Sequence, residues 1–212
     1  MKIIIFGGTG NVGSRTVTEA LSRNHQVSVV VRNTDRLQQL PTAVTGHVAN
    51  LESAQEVSNA MHGHDLIITA VRPATGHEAL LTPITETIMN AAAKLNIRVL
   101  VVGGAASLKI PNQNDTVLSA ANFLPDAVRP IAQACYAQHQ MVEQSDNKNW
   151  AYVSPAAMLV PGERSGVYRL GKDELVCNAQ GESKISMEDF AMALIDEAEQ
   201  PKHHQTRFTA AY

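Results

Sequence analysis

A doubly wound α/β fold around a parallel sheet is the architecture this sequence predicts, on three observations. Short apolar runs alternate with longer helical patterns over residues 2–102, the order expected of successive βαβ units. The runs are solid rather than alternating, as in VSVVV at 27–31 and DLIITA at 65–70, which fits strands buried on both faces. Glycines at 7, 10 and 13, within FGGTGNVG, separate the first run from the first helical pattern.

Each element follows from its local pattern. Lys2–Phe6 reads as a buried strand. Val12–Arg23 reads as a helix with Val12, Thr16, Val17, Ala20 and Leu21 on one side. Gln26–Val31 is a second strand. Asp35–Leu40 is a short helix, with Thr34 as its expected cap and Pro41 as its stop. Ala43–Val48 is a weaker third strand, Ser53–Met61 a helix and Asp65–Ala70 a fourth strand. Thr82-Pro83 opens a helix to about Leu95, with proline at its first position. Arg98–Val102 is the fifth strand. Right-handed crossovers then place helices on both sides of the sheet.

After Gly103 the pattern loosens. Leu108–Pro125, rich in Asn, Asp, Pro and Ser, reads as a long loop of the kind that is often functional. Val128–Ser145 is a helix and Trp150–Ser154 a sixth strand. Pro155 to about Ser183 carries short strand-like pieces, Gly166–Leu170 and Glu174–Cys177, and is expected to form a small lobe over the carboxyl edge of the sheet. Ser186 caps a helix at Met187–Glu199, with Asp189 three residues on as a weak capping box. Pro201 stops it, and Thr206–Thr209 offers a last strand. Residues 1–212 thus read as one domain with a lobe at about 155–185.

Composition narrows the function. A chain of this length buries roughly 70% of its unfolded surface and needs no staples. It is 44% hydrophobic but only 4% aromatic, so Ala, Val, Ile and Leu build the core. The net charge of −3, without charge runs, gives no nucleic-acid groove and no polybasic membrane surface. Cys135 and Cys177 form no CxxC and read as reduced thiols. Lys2 and four apolar residues before Gly7 are too few for a signal-peptide core. No apolar run approaches the ~18 residues of a membrane span. The expected compartment is the cytoplasm, for a monomer or small homo-oligomer.

The glycine turn gives this α/β sheet a Rossmann-type signature. Gly7 permits the tight turn, Gly10 lets backbone approach a pyrophosphate, and Gly13 lets the helix pack on the strand. The helix N-terminus offers free N–H groups to phosphates, and Thr9 and Asn11 can add side-chain hydrogen bonds. An acid at the end of the second strand usually selects NAD by bonding the ribose hydroxyls. Here Arg32 stands there, with Arg36 one helical turn along. A guanidinium pairs with a 2′-phosphate, which favours NADP(H) over NAD(H). The competing reading makes both arginines solvated surface charges.

The sequence resembles the atypical short-chain dehydrogenases that carry an NAD(P)H-binding domain. More closely, it is similar to the proposed NADH–flavin reductases, with NmrA-like regulators and biliverdin reductase B as relatives. The resemblance rests on GGTGNVG, VVVRNTDRL, VVGGAASL at 101–108 and SPAAMLVPGERSGVYRLG at 154–171. It implies that Gly7, Thr9, Gly10, Asn11 and Val12 hold the pyrophosphate and that Arg32 and Arg36 meet the adenosine phosphate. It implies further that Ala70, Val71 and Arg72 line the cofactor's middle, that Gly103 and Gly104 border the nicotinamide, and that Pro155, Ala156 and Ala157 lie near its carboxamide. Where relatives have an Asp-Val pair near the adenine, this chain has His47-Val48.

The catalytic set is thinner. The dehydrogenases resembled here use Tyr-x-x-x-Lys, the lysine lowering the tyrosine's pKa. The one candidate is Tyr136, with Gln140 in the lysine position. A tyrosine without that cation is a poor acid–base group near pH 7. Packing is the competing role for Tyr136. His139 is a candidate general acid. Ser107 is a candidate for polarising a substrate or a simple loop cap. Flavin reduction needs alignment more than an acid, so the missing pair points to FMN, FAD or a quinone-like planar acceptor. A non-enzymatic NAD(P) sensor of the NmrA kind is the alternative, and an isomerase with retained cofactor a third. His62, His64, His203 and His204 lack partners at metal-ligand spacing, so no metal is expected. Glu163-Arg164 reads as an exposed turn pair with a possible place at the substrate edge.

Overall fold

The computed structural model describes all 212 residues. Its main sheet takes strands β1 (Lys2–Phe6), β2 (Gln26–Val31), β3 (Val44–Val48), β4 (Leu66–Thr69), β5 (Arg98–Val102), β6 (Trp150–Pro155), β8 (Arg169–Gly171) and β10 (Thr206–Ala211). Their order is β3-β2-β1-β4-β5-β6-β10-β8, with β7 (Met158–Val160) and β9 (Lys184–Ser186) in a separate pair. All neighbours in the main sheet run parallel except β8, which runs antiparallel to β10. Chain reversal between β3 and β4 crosses β1 and β2, which is the switch point where doubly wound sheets bind ligands.

Five α-helices cover the sheet: α1 (Asn11–Ser22), α2 (Ala54–Met61), α3 (Leu81–Leu95), α4 (Arg129–Gln144) and α5 (Met187–Glu199). Alternate residues of the solid strands serve both layers. Ile3, Ile5, Val27 and Val29 pack with Val17 and Ala20 of α1 and Phe190 and Leu194 of α5. Ile4, Phe6, Ile67 and Val99 pack with Val57 of α2, Ile88 of α3 and Val142 of α4. No helix is long and apolar enough to cross a membrane.

Several expectations need correction. The helix after β2 is a 3-10 helix at Thr34–Gln39, capped by Asn33 rather than Thr34, because Asn33 Oδ1 accepts from the Arg36 N–H. Pro83 is the third residue of α3, since a 3-10 turn at Glu78–Leu80 leads into it. The 155–185 segment is less of a lobe than expected: β8 extends the main sheet, while Met158–Val160 pairs with Lys184–Ser186. Glu174–Cys177 forms no strand, only a single bridge between Lys109 and Glu174. The 108–125 loop is pinned by its own apolar cluster of Leu108, Ile110, Val117, Ala120 and Leu175. Ser186 caps α5 as expected, accepting from the Asp189 N–H at 2.9 Å. The return half of the box runs through Tyr212: its hydroxyl accepts from the Ser186 N–H at 3.1 Å and donates to Asp189 Oδ2 at 2.7 Å.

Candidate cofactor and active site

The glycine turn sits at the carboxyl end of β1 and opens directly into α1. Gly7 has φ +79°, and a Cβ there would stand 2.5 Å from the Ala70 carbonyl oxygen. Only glycine combines that φ with so close a backbone approach. A Cβ on Gly13 would lie 2.1 Å from the Gly7 oxygen, so α1 can dock on the turn only without one. Gly8, which the spacing argument omitted, is bare because Val29 leaves no room, at 2.7 Å. Gly10 is the helix cap, with no side-chain bond to the first turn and no acid there. The first N–H groups of α1 therefore keep their donors for an outside partner. Thr9 and Asn11 lie alongside, their side-chain polar groups without partners in the chain, and Val12 is half-buried against the core. This cradle fits a pyrophosphate.

The chain brings Ala70, Val71 and Arg72 to the same turn, because the Ala70 N–H bonds Phe6 O at 2.8 Å. Arg32 and Arg36 are exposed just past β2, and neither has a carboxylate partner; Arg36 reaches only Gln39, at 3.1 Å. Arg72 is also unpaired and exposed, and its charge acts on Cys135 in α4, whose thiol burial pushes up to about 11. His47 is turned elsewhere. It shares the Val30 face of the sheet and stands edge-on to His64, with ring centroids 5.9 Å apart. Burial, then His64, lowers its pKa. Val48 is exposed beside it.

Gly103 and Gly104 have a packing reason of their own. A Cβ on Gly103 would fall 2.0 Å from the Tyr152 ring, and one on Gly104 would fall 2.8 Å from Cys135. The Tyr152 hydroxyl is fully buried and donates towards Cys135 O at 3.0 Å and Gln138 Oε1 at 3.1 Å, while Gln138 donates to Thr85 at 2.9 Å. Pro155 ends β6, Ala156 is buried, and the Ala157 N–H bonds Ser183 Oγ at 3.2 Å.

The three candidate catalytic residues separate. Tyr136 is half-buried on α4 and makes no hydrogen bond through its hydroxyl. Ser107 and His139 do meet, with Oγ and Nδ1 3.3 Å apart. Two residues that the sequence reading missed complete the group. Arg207 of β10 donates from Nη1 to Ser107 Oγ at 2.6 Å and from Nη2 to Asp173 at 2.8 Å. His139 as a general acid needs correction. Burial first, and Arg207 second, lower its pKa to about 4, so at neutral pH the ring is uncharged and has no imidazolium proton to give.

Glu163 and Arg164 are exposed as expected, and Arg164 is in addition tied down. Arg164 donates twice to Glu19 of α1, at 2.7 and 2.8 Å. The Gly162 N–H bonds Glu188, and Ser165 and Gly166 bond Asp189. PGERSG is thus a strap fastened to α1 and α5. A hollow of about 470 Å³ at the opposite, amino-terminal edge is lined by His25, Ser28, Thr45 and His64. No glycine turn or helix N-terminus faces it, so the cradle at the carboxyl edge remains the better cofactor site. No cluster of His, Cys, Asp and Glu has the makings of a metal site.

Residues 7–201 match the profile of the NAD(P)H-binding family. The chain belongs to this family. As a member of it, the protein is similar to the uncharacterized protein YwnB of Bacillus subtilis (strain 168), at 33% identity over 211 residues, covering 99% of this chain and 97% of YwnB. Among solved structures it is similar to a candidate epimerase of Bacteroides thetaiotaomicron, with a TM-score of 0.89 and 35% identity, covering 100% of this chain and 96% of the other. It is also similar to a candidate NADH-flavin reductase of Streptococcus pneumoniae TIGR4, with a TM-score of 0.89 and 29% identity, covering 100% of this chain and 99% of the other. The Rossmann-type fold is shared end to end. The reactions named for these neighbours differ, so the chemistry has to be argued from the side chains.

Proposed function

We propose that this NAD(P)H-binding protein is a cytoplasmic reductase that passes hydride from NADPH to a free flavin or a similar planar, conjugated acceptor. The observation that carries the reading is Gln140 in the lysine position, which leaves Tyr136 without an activating cation. His139 is held neutral. Alcohol oxidation and epimerisation need a proton partner on oxygen, whereas a flavin or quinone takes hydride and draws its proton from water. The unpaired Arg32 and Arg36 support NADPH as donor. Bound NADPH supplies the hydride; the chain's own part is to hold the pyrophosphate at Gly7–Gly13 and align the acceptor. The candidate NADH-flavin reductase among the neighbours supports the acceptor class. Two free cysteines suit a reducing compartment.

The test is oxidation of NADPH followed at 340 nm with purified protein, with and without FMN, beside the same assay with NADH. Flavin-dependent turnover, faster with NADPH, is expected. Tight NADPH binding with no turnover on FMN, FAD or a quinone would move the assignment to a cofactor sensor.

A further inference from the structure

Arg207 is only 7% exposed, in a strand flanked on both sides. Burying a guanidinium is costly unless its partners are complete. Arg98 meets the buried Glu197 carboxylate at 2.7 Å and two carbonyl groups, with its Nε left buried and unpartnered. The Nε of Arg207 is unpartnered too, but its other partners are weaker, a half-exposed carboxylate, Asp173, and a neutral hydroxyl, Ser107. A purely structural site of this kind would be served as well by an apolar residue.

We propose that Arg207 is a positioning residue: acting through Ser107, it supplies the positive charge that Gln140 does not, so that the Ser107 hydroxyl meets the acceptor atom gaining negative charge. This rests on the reductase reading and deepens it. Ser107 follows the carboxyl end of β5, half-exposed, at the edge where the cradle lies. The Arg207 Nη1 at 2.6 Å draws electron density from Oγ and strengthens the hydroxyl as a donor. His139 acts in the same sense. Its Nε2 is buried without a hydrogen bond, 3.7 Å from the half-exposed Glu143 carboxylate. As part of this proposal the ring hydrogen sits on Nδ1, 3.3 Å from Ser107 Oγ. The ring then donates to Oγ. With two donors pointing in, the hydroxyl keeps its own hydrogen for a bound molecule.

The groups facing Ser107 and His139 are Arg207 from β10, Asp173 from the loop after β8, Tyr152 from β6, and Cys135 and Glu143 from α4. The electron balance is simple. NADPH gives up a hydride and becomes NADP⁺. The acceptor takes the hydride's two electrons, and water supplies its proton. The Ser107 O–H bond stays intact and stabilises charge only, in the manner of an oxyanion hole.

The experiment compares wild type, Ser107→Ala, Arg207→Gln, Arg207→Lys and the Ser107→Ala/Arg207→Gln double variant. FMN and menadione serve as acceptors, and NADPH binding is titrated separately. Ser107→Ala and Arg207→Gln are each expected to lower kcat about tenfold or more, with the NADPH Kd held within about twofold. The double variant should be no slower than the slower single one, and Arg207→Lys should recover part of the loss. A folded Arg207→Gln with wild-type kcat, or losses that multiply in the double variant, overturns the inference. Should Arg207→Gln fail to fold, Ser107→Ala decides alone, and unchanged turnover there overturns it equally. A wild type inactive on both acceptors overturns this inference and the reductase reading together; an active wild type with unaffected variants overturns this inference only.

Discussion

Along α1 and α5 the arginines are paired, and at the carboxyl ends of β2 and β4 they are not. Arg23 meets Glu19, Asp196 and Glu199 at 2.7–2.8 Å, Arg15 meets Glu188 at 2.5 Å, and Arg164 meets Glu19 at 2.7 Å. Arg32, Arg36 and Arg72 meet no carboxylate, although the chain carries more acids than bases. The first region uses charge to fasten a strap to two helices. The second keeps charge available beside a helix N-terminus that has no cap of its own. The paired arginines here fasten the fold, and the unpaired ones are left open to an outside partner.

That contrast can be broken most forcefully at the turn itself. Gly13→Val should abolish measurable NADPH binding and cost ~3 kcal/mol of stability, because its Cβ lands 2.1 Å from the Gly7 oxygen. Gly10→Ala, with 3.2 Å available, should weaken NADPH while leaving the urea midpoint nearly unchanged. Retained binding in Gly13→Val would remove the cradle from the site.

Next comes His139, beside the one buried arginine at the mouth of the sheet. Its folded pKa is about 4 against 6.5 for the free side chain. Below 6.5 the unfolded chain takes up a proton that the folded chain refuses, so stability falls as pH drops from 6.5 towards 4. The loss should reach roughly 2–3 kcal/mol. Denaturant titrations at pH 7, 5.5 and 4.5 should show this slope in wild type and lose most of it in His139→Gln.

Arg32→Ala sharpens the comparison on the ligand side. It should weaken NADPH by about 1.5–3 kcal/mol and leave NADH nearly untouched. Equal losses for both cofactors would return Arg32 to the solvated surface. The smallest expected effect lies on the fold side. Glu19→Ala should cost about 1–2 kcal/mol of stability with unchanged NADPH affinity. The Arg164 hydrogen bonds lower the Glu19 pKa in the folded state, so this contribution is present above the usual glutamate range and disappears as pH falls through the lowered value.

What the sequence made legible was local. Ile3-Ile4-Ile5 and VSVVV announce strands buried on both faces, and the spacing of Gly7, Gly10 and Gly13 carries its own steric logic. The Ser107 group was only half visible. Its partner Arg207 lies 100 residues away and Asp173 lies 34 from Arg207, and no periodicity encodes such a meeting. A weak signal existed, since a charged residue inside the TRFTAA strand must find a partner or cost stability. PGERSG is exposed, as its glycine and proline suggest, but its anchoring was not legible, because Glu19, which holds it, falls between the apolar positions of α1. Strands β7, β8 and β9 have three residues each, too short for any alternation to declare itself.

Gly103 and Tyr152 show how far such nonlocal meetings reach. The tyrosine ring fills the volume that a side chain at 103 would need, to within 2.0 Å. The two positions are therefore sterically coupled. A lineage can replace the glycine only after the ring at 152 has gone, and Tyr152→Phe, which keeps the ring, opens no such route. Among functional variants drawn at random from both codons, a side chain at 103 should appear only in company with a small residue at 152.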